Sequence, residues 1–260
     1  MTDWQRADRP RHRVGRGVEV HTAIGSTNDR VRDLLDEPGG EGRAVVAEEQ
    51  TAGRGRRGRT WTSPAGQNLM LSVAFRPRIR AADAWQLALA SALAARSACA
   101  ALAPVALKWP NDLVADDGAK LGGLLLETTI DAEELTAAVI GIGINVNWAR
   151  AEMPPEIAAG ATSLRELAGA PIDRADLLAR LLDALDDELV AVEDGSSPVP
   201  RYREVCATLG TDVAVETADG RVEGRATAID DDGALVVETD GGPVAVTSGE
   251  IIRVRAGAPA

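Results

Sequence analysis

Aromatic residues, cysteines and histidines are scarce in this sequence. The chain has one phenylalanine, one tyrosine and five tryptophans, and Trp61 and Trp109 each lie beside charged or polar residues. Cys99 and Cys206 lie in apolar or helix-like surroundings without C-x-x-C spacing, which predicts reduced thiols in a cytoplasm. Because there are only two histidines, we do not expect a structural metal site.

The sequence also lacks any segment that could target or cross a membrane. Its first residues, MTDWQRADRPRHRVGRG, contain no apolar core of a signal peptide, and charges or glycines interrupt every apolar stretch. We therefore expect a cytoplasmic protein without membrane contact. The formal net charge of −12 disfavours general binding to DNA or RNA, since it repels a polyphosphate backbone.

Strands and helices are predicted in irregular alternation, which indicates an α+β fold. The main predicted elements are a strand, turn and helix from residue 18, strands at 43–50 and 68–77, a buried helix at 82–103, a hairpin at 105–130, a strand at 135–147 and a helix at 172–194. Short alternating strands separated by ADG, DDDG and DGG turns then predict a small barrel of about five strands.

A chain of 260 residues is long enough for one large and one small domain. The charged, turn-rich residues 1–17 predict a flexible tail. GSSPVP at 195–200 is the best candidate linker, so we expect a large domain over 18–200 and a small one over 201–260.

The stretch GRGRRG at 53–58 matches the G-x-G-x-x-G fingerprint of dinucleotide-binding enzymes. That fingerprint requires a helix after it and an acidic residue about 20 positions later, and this sequence has neither. A solvated basic loop or an arginine-rich RNA contact also fits the charge pattern. The glycines and Trp61 favour a third interpretation, in which residues 53–61, here called the arginine loop, cover the phosphates and base of a nucleotide.

Five segments together resemble the biotin protein ligases in order and approximate spacing. They are STN (26–28), QTAGRGRRGRTW (50–61), KWPNDL (108–113), KLGGLLLE (120–127) and GIGINV (141–146). The arginine loop followed by KWPND is the specific signal, whereas STN or GIGIN alone is weak.

The resemblance implies a catalytic domain related to class II aminoacyl-tRNA synthetases and a small C-terminal SH3-like barrel. It also implies a two-step reaction, in which biotin and ATP give biotinyl-5′-AMP and pyrophosphate, and a lysine of a carboxylase biotin-carrier domain then displaces AMP. STN begins at residue 26, which leaves no room for the DNA-binding domain of some family members, so we expect no DNA binding. A homodimer is possible, as in other members.

The resemblance assigns roles to individual residues. Lys120 is expected to orient the biotin carboxylate against the α-phosphate, with Arg54, Arg56 and Lys108 as further catalytic charges. The residues expected to bind biotin are Ser26, Thr27, Gln50, Gly53, Arg54, Arg56, Lys120, Gly123 and Gly141. Those expected to bind ATP are Arg54, Arg56, Arg57, Arg59, Trp61, Asn111, Asp112, Lys120 and Asn145.

Asp112 is expected to hold the Mg²⁺ of ATP, since Mg²⁺ prefers one or two carboxylates together with phosphates and water. An ordinary turn at Asn111 and Asp112, and simple helix caps at Ser26 and Thr27, are the structural alternatives. The nearest functional alternative is a lipoate or octanoate ligase or transferase, which lacks the arginine loop. An RNA-binding protein is the alternative from another class.

Overall fold

A computed structural model describes residues 2–255 of the chain. The strands of this part are β1 (Val18–His21), β2 (Ala44–Ala47), β3 (Leu69–Phe75), β4 (Ala106–Lys108), β5 (Asp112–Val114), β6 (Lys120–Asp131), β7 (Glu134–Ile144), β8 (Asp212–Glu216), β9 (Arg221–Ile229), β10 (Leu235–Thr239), β11 (Gly242–Val246) and β12 (Glu250–Arg255). The α-helices are α1 (Thr27–Leu35), α2 (Trp85–Ala100), α3 (Pro155–Ala158), α4 (Leu164–Ala168), α5 (Arg174–Glu193) and α6 (Val199–Val205).

Strands β1 to β7 form one sheet in the order β1-β2-β3-β7-β6-β5-β4. β1 and β2 are parallel, and the other neighbouring strands are antiparallel. Helix α1 packs Val31 and Leu34 against Val139, whereas α2 and α5 share a core with Val73 and Ile140. Because successive strand residues point to opposite faces, helices cover both faces of the sheet. The predicted α+β class is confirmed.

The two long helices, α2 and α5, form where leucine and alanine dominate the sequence. Asp173 caps α5 by accepting the backbone N–H groups of Ala175 (2.9 Å) and Asp176 (3.3 Å). Cys99 is buried in α2, and burial raises the pKa of its thiol to about 12, so the thiol stays neutral. No helix within residues 2–255 is both long and apolar enough to cross a membrane.

Residues 1–17 were predicted to form a flexible tail, but residues 3–17 lie against α5. Trp4 is 3% exposed and donates its indole N–H to Glu48 Oε1 at 2.9 Å. The buried Asp186 of α5 accepts the backbone N–H groups of residues 12–14 at 2.8, 2.6 and 2.9 Å. A buried carboxylate needs such donors, and composition alone could not show that this charged segment supplies them.

Strands β8 to β12 form a second, antiparallel sheet in the order β11-β10-β9-β8-β12, as the short alternating strands predict. Val215 and Leu235 of this sheet belong to the same continuous core as α2. The linker predicted at 195–200 is short, because α6 already begins at Val199, and Val199 and Tyr202 of this helix are 1% and 0% exposed. The two sheets are therefore joined by a packed helix, and not by a flexible linker.

We expect Asp186→Ala to lower the free energy of unfolding by about 2–3 kcal/mol, because it leaves the buried N–H of Val14 and the partly buried N–H groups of His12 and Arg13 without their acceptor. Urea unfolding of this variant and of Asp187→Ala, an exposed neighbour on α5, measures the effect. Equal stability of the two variants would contradict the docking of residues 12–14 on α5.

Candidate active site

A cavity of about 230 Å³ lies between α1, the arginine loop, β6 and β7. Most of the predicted site residues line it, namely Ser26, Thr27, Gln50, Arg54, Arg56, Arg59, Trp61, Asn111, Lys120, Gly123, Gly141 and Asn145. Four predicted residues lie outside the lining, and these are Gly53, Arg57, Lys108 and Asp112. The structure thus brings together segments that are more than 100 positions apart in the sequence.

Glycines of β6 and β7 form the floor of the cavity. Gly123 of β6 pairs with Gly143 of β7, and Gly141 lies two residues before Gly143 in β7. A Cβ atom on Gly143 would lie 2.6 Å from the ring of Trp61, and one on Gly141 would overlap Asn28 Oδ1. The absence of side chains at these two positions lets Asn28 and Trp61 rest directly on the sheet.

A group of uncharged polar side chains surrounds Gly141. Gln50 Oε1 accepts the backbone N–H of Thr27 at 2.7 Å and its hydroxyl at 3.0 Å. The backbone donor fixes which end of the Gln50 amide is the oxygen, so the amide presents its NH₂ group on the other side. Ser26 precedes α1, but its hydroxyl makes no capping hydrogen bond within the described helix, which leaves it available to a ligand.

Three residues that complete this polar group were not predicted as site residues. The hydroxyl of Ser72 donates to Asn28 Oδ1 at 2.6 Å and lies 2.6 Å from the hydroxyl of Thr27. Asn28 Nδ2 in turn donates to Glu127 Oε2 at 2.6 Å. Ser72 could have been found as the one polar residue inside the fully buried strand LMLSVAF, because a buried hydroxyl requires partners.

The arginine loop is a narrow turn that folds back on itself. The N–H of Trp61 donates to Gly53 O at 3.0 Å, and that of Gly55 donates to Arg59 O at 2.7 Å. At the tip, Arg57 has a positive φ of 55°. The loop contains one short 3₁₀ turn and opens no α-helix, so it lacks the feature that the dinucleotide fingerprint requires.

Three of the four loop arginines pair with carboxylates of this chain. Arg54 makes a bidentate contact with Asp29 of α1, at 2.8 and 2.6 Å. On the other side, Arg59 and Arg57 lie 2.7 and 3.9 Å from the carboxylate of Glu250, the first residue of β12. The loop is therefore held between α1 and the C-terminal sheet, and Arg57 and Arg59 occupy a scaffolding position.

Arg56 has a different environment. Its Nη1 donates to Asn111 Oδ1 at 3.0 Å and to Gly249 O at 3.3 Å, and no carboxylate of residues 2–255 lies within ion-pair distance of it. Asn111 is fixed in turn, since its Nδ2 donates to Leu124 O at 2.7 Å. Burial lowers the pKa of the Arg56 guanidinium, but a guanidinium still stays charged at neutral pH. Arg56 therefore brings a half-buried positive charge without a paired anion to the cavity.

Lys108 and Lys120 are the only lysines in the chain. Lys120 Nζ donates to Asp112 Oδ1 at 2.6 Å and lies 3.3 Å from where a Cβ on Gly123 would stand. Lys108 points away from the cavity, with its Nζ 3.4 Å from Ile251 O of β12. The structure thus brings Lys120 into the site and directs Lys108 towards the C-terminal sheet.

Trp61 and Asn145, predicted to contact adenine, differ in what they can offer a ligand. The indole N–H of Trp61 has no hydrogen-bond partner among residues 2–255. The amide of Asn145 is used at both ends, because Nδ2 donates to Thr162 O at 3.1 Å and Oδ1 accepts from Asn68 at 3.3 Å. Asn145 is therefore a fixed part of the cavity wall, whereas Trp61 has a free donor.

Asp112 is the carboxylate predicted to hold Mg²⁺. The part of the chain that the structure describes contains no group of three or more histidine, cysteine or acidic side chains arranged to hold a metal. A single carboxylate fits an ion that arrives with a nucleotide and keeps phosphate and water oxygens as its other ligands. The donor set thus suits Mg²⁺ as part of a Mg²⁺–ATP substrate, and not as a resident metal.

Two family profiles match this chain. Residues 21–145 match the biotin/lipoate A/B protein ligase family, and residues 208–254 match the biotin protein ligase C terminal domain. The first match contains the cavity floor and the arginine loop, and the second contains nearly all of the C-terminal sheet.

Similar proteins and solved structures agree with these matches. A biotin–[acetyl-CoA-carboxylase] ligase of Mycobacterium tuberculosis is 36% identical over 252 residues, which cover 92% of this chain and 90% of that protein. The bifunctional ligase/repressor BirA of Bacillus subtilis is 34% identical over 242 residues, which cover 92% and 74%. The biotin protein ligase of Aquifex aeolicus in complex with biotin and ATP has a TM-score of 0.76 at 28% identity and covers 93% of this chain and 100% of that one. On the evidence of both sequence and fold, the chain belongs to the biotin protein ligase family.

Proposed function

We propose that the cavity activates biotin with ATP and that the enzyme then transfers biotin to a carboxylase. The glycine floor of the cavity is the main support for this proposal. It places an uncharged hydrogen-bonding group beside Gly141 and the cation of Lys120 beside Gly123 in one cavity. Biotin has the matching chemistry, with a neutral ureido head at one end and a carboxylate at the other. Family membership supports the same reaction.

The uncharged group around Gly141 is the proposed site for the ureido head. Gln50 offers its NH₂ group, and Ser26 and Thr27 offer hydroxyls, so the group supplies both donors and acceptors. Gly141 and Gly123 line the cavity without side chains, and the space at Gly141 lets Asn28 lie directly on the sheet. A small set of fixed polar groups in a mostly apolar cavity is the usual way to orient such a ligand.

The first step forms an acyl-adenylate. A biotin carboxylate oxygen attacks the α-phosphorus of ATP, a new O–P bond forms, and pyrophosphate leaves with the electrons of the broken bond. Both reactants are anionic, so the step needs fixed positive charge at the meeting point. We assign that charge to Lys120 and Arg56, with Gly53 and the loop backbone nearby.

The second step forms the amide. The neutral amine of an acceptor lysine attacks the acyl carbonyl, the C–O bond to AMP breaks, AMP leaves as an anion, and the amine nitrogen loses a proton. Until the acceptor arrives, the mixed anhydride must be kept from water and from other amines. The closed arginine loop is the proposed cover for this intermediate.

The nucleotide is assigned to the other end of the cavity. Trp61 offers a ring face to adenine, and Asn145 forms the wall beside it. Asp112, with Asn111 behind it, is the proposed ligand for the Mg²⁺ that accompanies ATP. The site is also supported by contacts with β12, which are made by Arg57, Arg59 and Lys108. The pyrophosphate part of ATP is assigned to the same three side chains.

The acceptor is proposed to dock on β6. β5 is short and pairs only with residues 120–123 of β6, so among the described strands none covers the outer edge of residues 125–131. An exposed edge can add a strand from another protein, and this one begins next to the cavity. A carboxylase biotin-carrier domain is the proposed partner; a homodimer and the absence of DNA binding stay predictions.

The finer description of the fold is also a proposal. We assign residues 18 to about 206 to a catalytic domain related to class II aminoacyl-tRNA synthetases, and the five-stranded sheet that follows to an SH3-like barrel. The mixed sheet and the antiparallel order of β8 to β12 support these assignments. A cytoplasmic location agrees with the two buried free thiols, Cys99 and Cys206.

The reaction can be tested directly by mass spectrometry. We expect biotinyl-AMP when the protein is incubated with biotin, ATP and Mg²⁺, and no adenylate with octanoate or lipoate in parallel samples. An adenylate formed only from octanoate or lipoate would assign the chain to lipoate chemistry instead.

Lys120→Gln is expected to slow adenylate formation by about 100-fold, because it removes fixed charge from the transition state. Lys108→Gln, the matched change at the other lysine, should slow the reaction by less than about tenfold, since its ammonium contacts β12 outside the cavity. Single-turnover formation of biotinyl-AMP measures both. Equal losses would contradict the distinct placement of the two lysines.

Arg56→Gly is expected to release biotinyl-AMP faster, by about tenfold, because it removes a charge-assisted contact with the adenylate. Arg78→Gly is the control, since this exposed arginine lies outside the cavity lining, and it should not change the rate. Dissociation of radiolabelled biotinyl-AMP, chased with unlabelled adenylate, measures the rate. Release from Arg56→Gly at the rate of the control would show that Arg56 does not hold the adenylate.

A further inference from the structure

Arg54, the first arginine of the loop, is turned towards the protein and not towards the centre of the cavity. Both of its terminal nitrogens bind the Asp29 carboxylate, at 2.8 and 2.6 Å. The two side chains are 39% and 53% exposed, so the contact lies at the rim. This contact lowers the pKa of Asp29 and raises that of Arg54, so both groups stay charged at neutral pH.

Asp29 is itself held in place by its neighbours. Arg32, one turn later on α1, lies 3.0 Å from Asp29 and 3.2 Å from Glu127 of β6. Glu127 also accepts the amide N–H of Asn28 at 2.6 Å and lies 3.8 Å from Arg54. Arg54 therefore docks on a carboxylate that is already fixed to both α1 and the sheet.

The position of Arg54 affects the whole arginine loop. Arg54 forms a β-bridge with Thr60, and the adjacent Gly53 accepts the N–H of Trp61 at 3.0 Å. Fixing Arg54 therefore fixes the base of the turn, including the ring of Trp61 over Gly143. The other side of the turn is fixed separately by Glu250.

We propose that Asp29 is a positioning residue that tethers the arginine loop through Arg54. The guanidinium of Arg54 serves this tether and is not a ligand of the substrate phosphates. The tether is made by side chains of this chain alone, and only its consequence for the adenylate rests on the proposed function. With the tether in place, the loop covers the cavity between acyl transfer events and slows the escape of the activated acid.

The tether can be tested without substrate by limited trypsin digestion. We expect Asp29→Asn to speed cleavage after Arg56, Arg57 and Arg59 by about fivefold, because loss of a partly exposed ion pair frees the turn. Asp33→Asn removes the same charge from an exposed position of α1 and should not change the rate. The same cleavage rate in both variants would overturn the tether, and thermal unfolding checks that both are folded.

A double-variant cycle separates tethering from ligand binding. If Arg54 acts only through Asp29, then Asp29→Asn, Arg54→Gln and the double variant should lose trypsin protection and biotinyl-AMP retention to within about twofold of one another, because all three remove the same contact. A much larger loss of retention in Arg54→Gln than in Asp29→Asn, at equal loss of protection, would show that Arg54 binds the adenylate and would overturn the proposed role. If the original protein forms no adenylate, the proposed function fails, while the digestion result still decides the tether.

Discussion

The site depends on the close approach of side chains to the backbone of β6 and β7. At Gly141 and Gly143 the space of a Cβ is already taken by Asn28 of α1 and by Trp61 of the arginine loop. Long antiparallel pairing between β6 and β7 keeps these glycines in register, so the distance between the polar group and the charged group is set by the sheet. A shift of this ladder by one residue would place Ile142 under the ligand and close the cavity.

The arrangement of charge follows from the same geometry. The chain carries a net charge of −12, yet it must attract two anionic substrates. Most of the loop arginines are neutralised by carboxylates of α1 and β12, which hold the loop in one shape. The cavity itself receives Arg56, which has no ion-pair partner among residues 2–255, and Lys120, which is paired with Asp112, and a low-dielectric wall strengthens the effect of these charges.

Much of this site could be predicted from the sequence, because its residues lie in short motifs at the ends of recognisable strands. The motifs around Gln50, Lys120 and Gly141 predicted which segments meet. The hairpin predicted at 105–130 is present as β5 and β6, but residues 106–108 form an additional strand, β4, which pairs with β5. Two contacts of the site were not predicted. Ser72 is a polar residue in an apolar strand, which indicates a buried hydroxyl but not its partners, and Glu250 begins a strand about 190 positions after the loop, so only tertiary packing shows what these residues contact.

The predictions of a flexible N-terminal tail and of a flexible linker were wrong for a related reason. The charged and turn-forming residues at 3–17 indicate a mobile tail only if their polar groups have no partners in the fold. Here Asp186 and Glu48, from distant parts of the chain, accept hydrogen bonds from this segment. GSSPVP has the composition of a linker, but Val199 begins a helix whose apolar side packs into the core that the two sheets share. Local composition cannot distinguish a free segment from one that a distant surface binds.

The placement of the two lysines has a practical consequence for chemical labelling. Most proteins carry lysines over their whole surface, so amine-directed dyes and cross-linkers attach to them at many points. This chain offers such reagents only two lysine side chains, one lining the cavity and one facing β12. A dye attached to Lys120 would therefore report on the occupancy of the site itself.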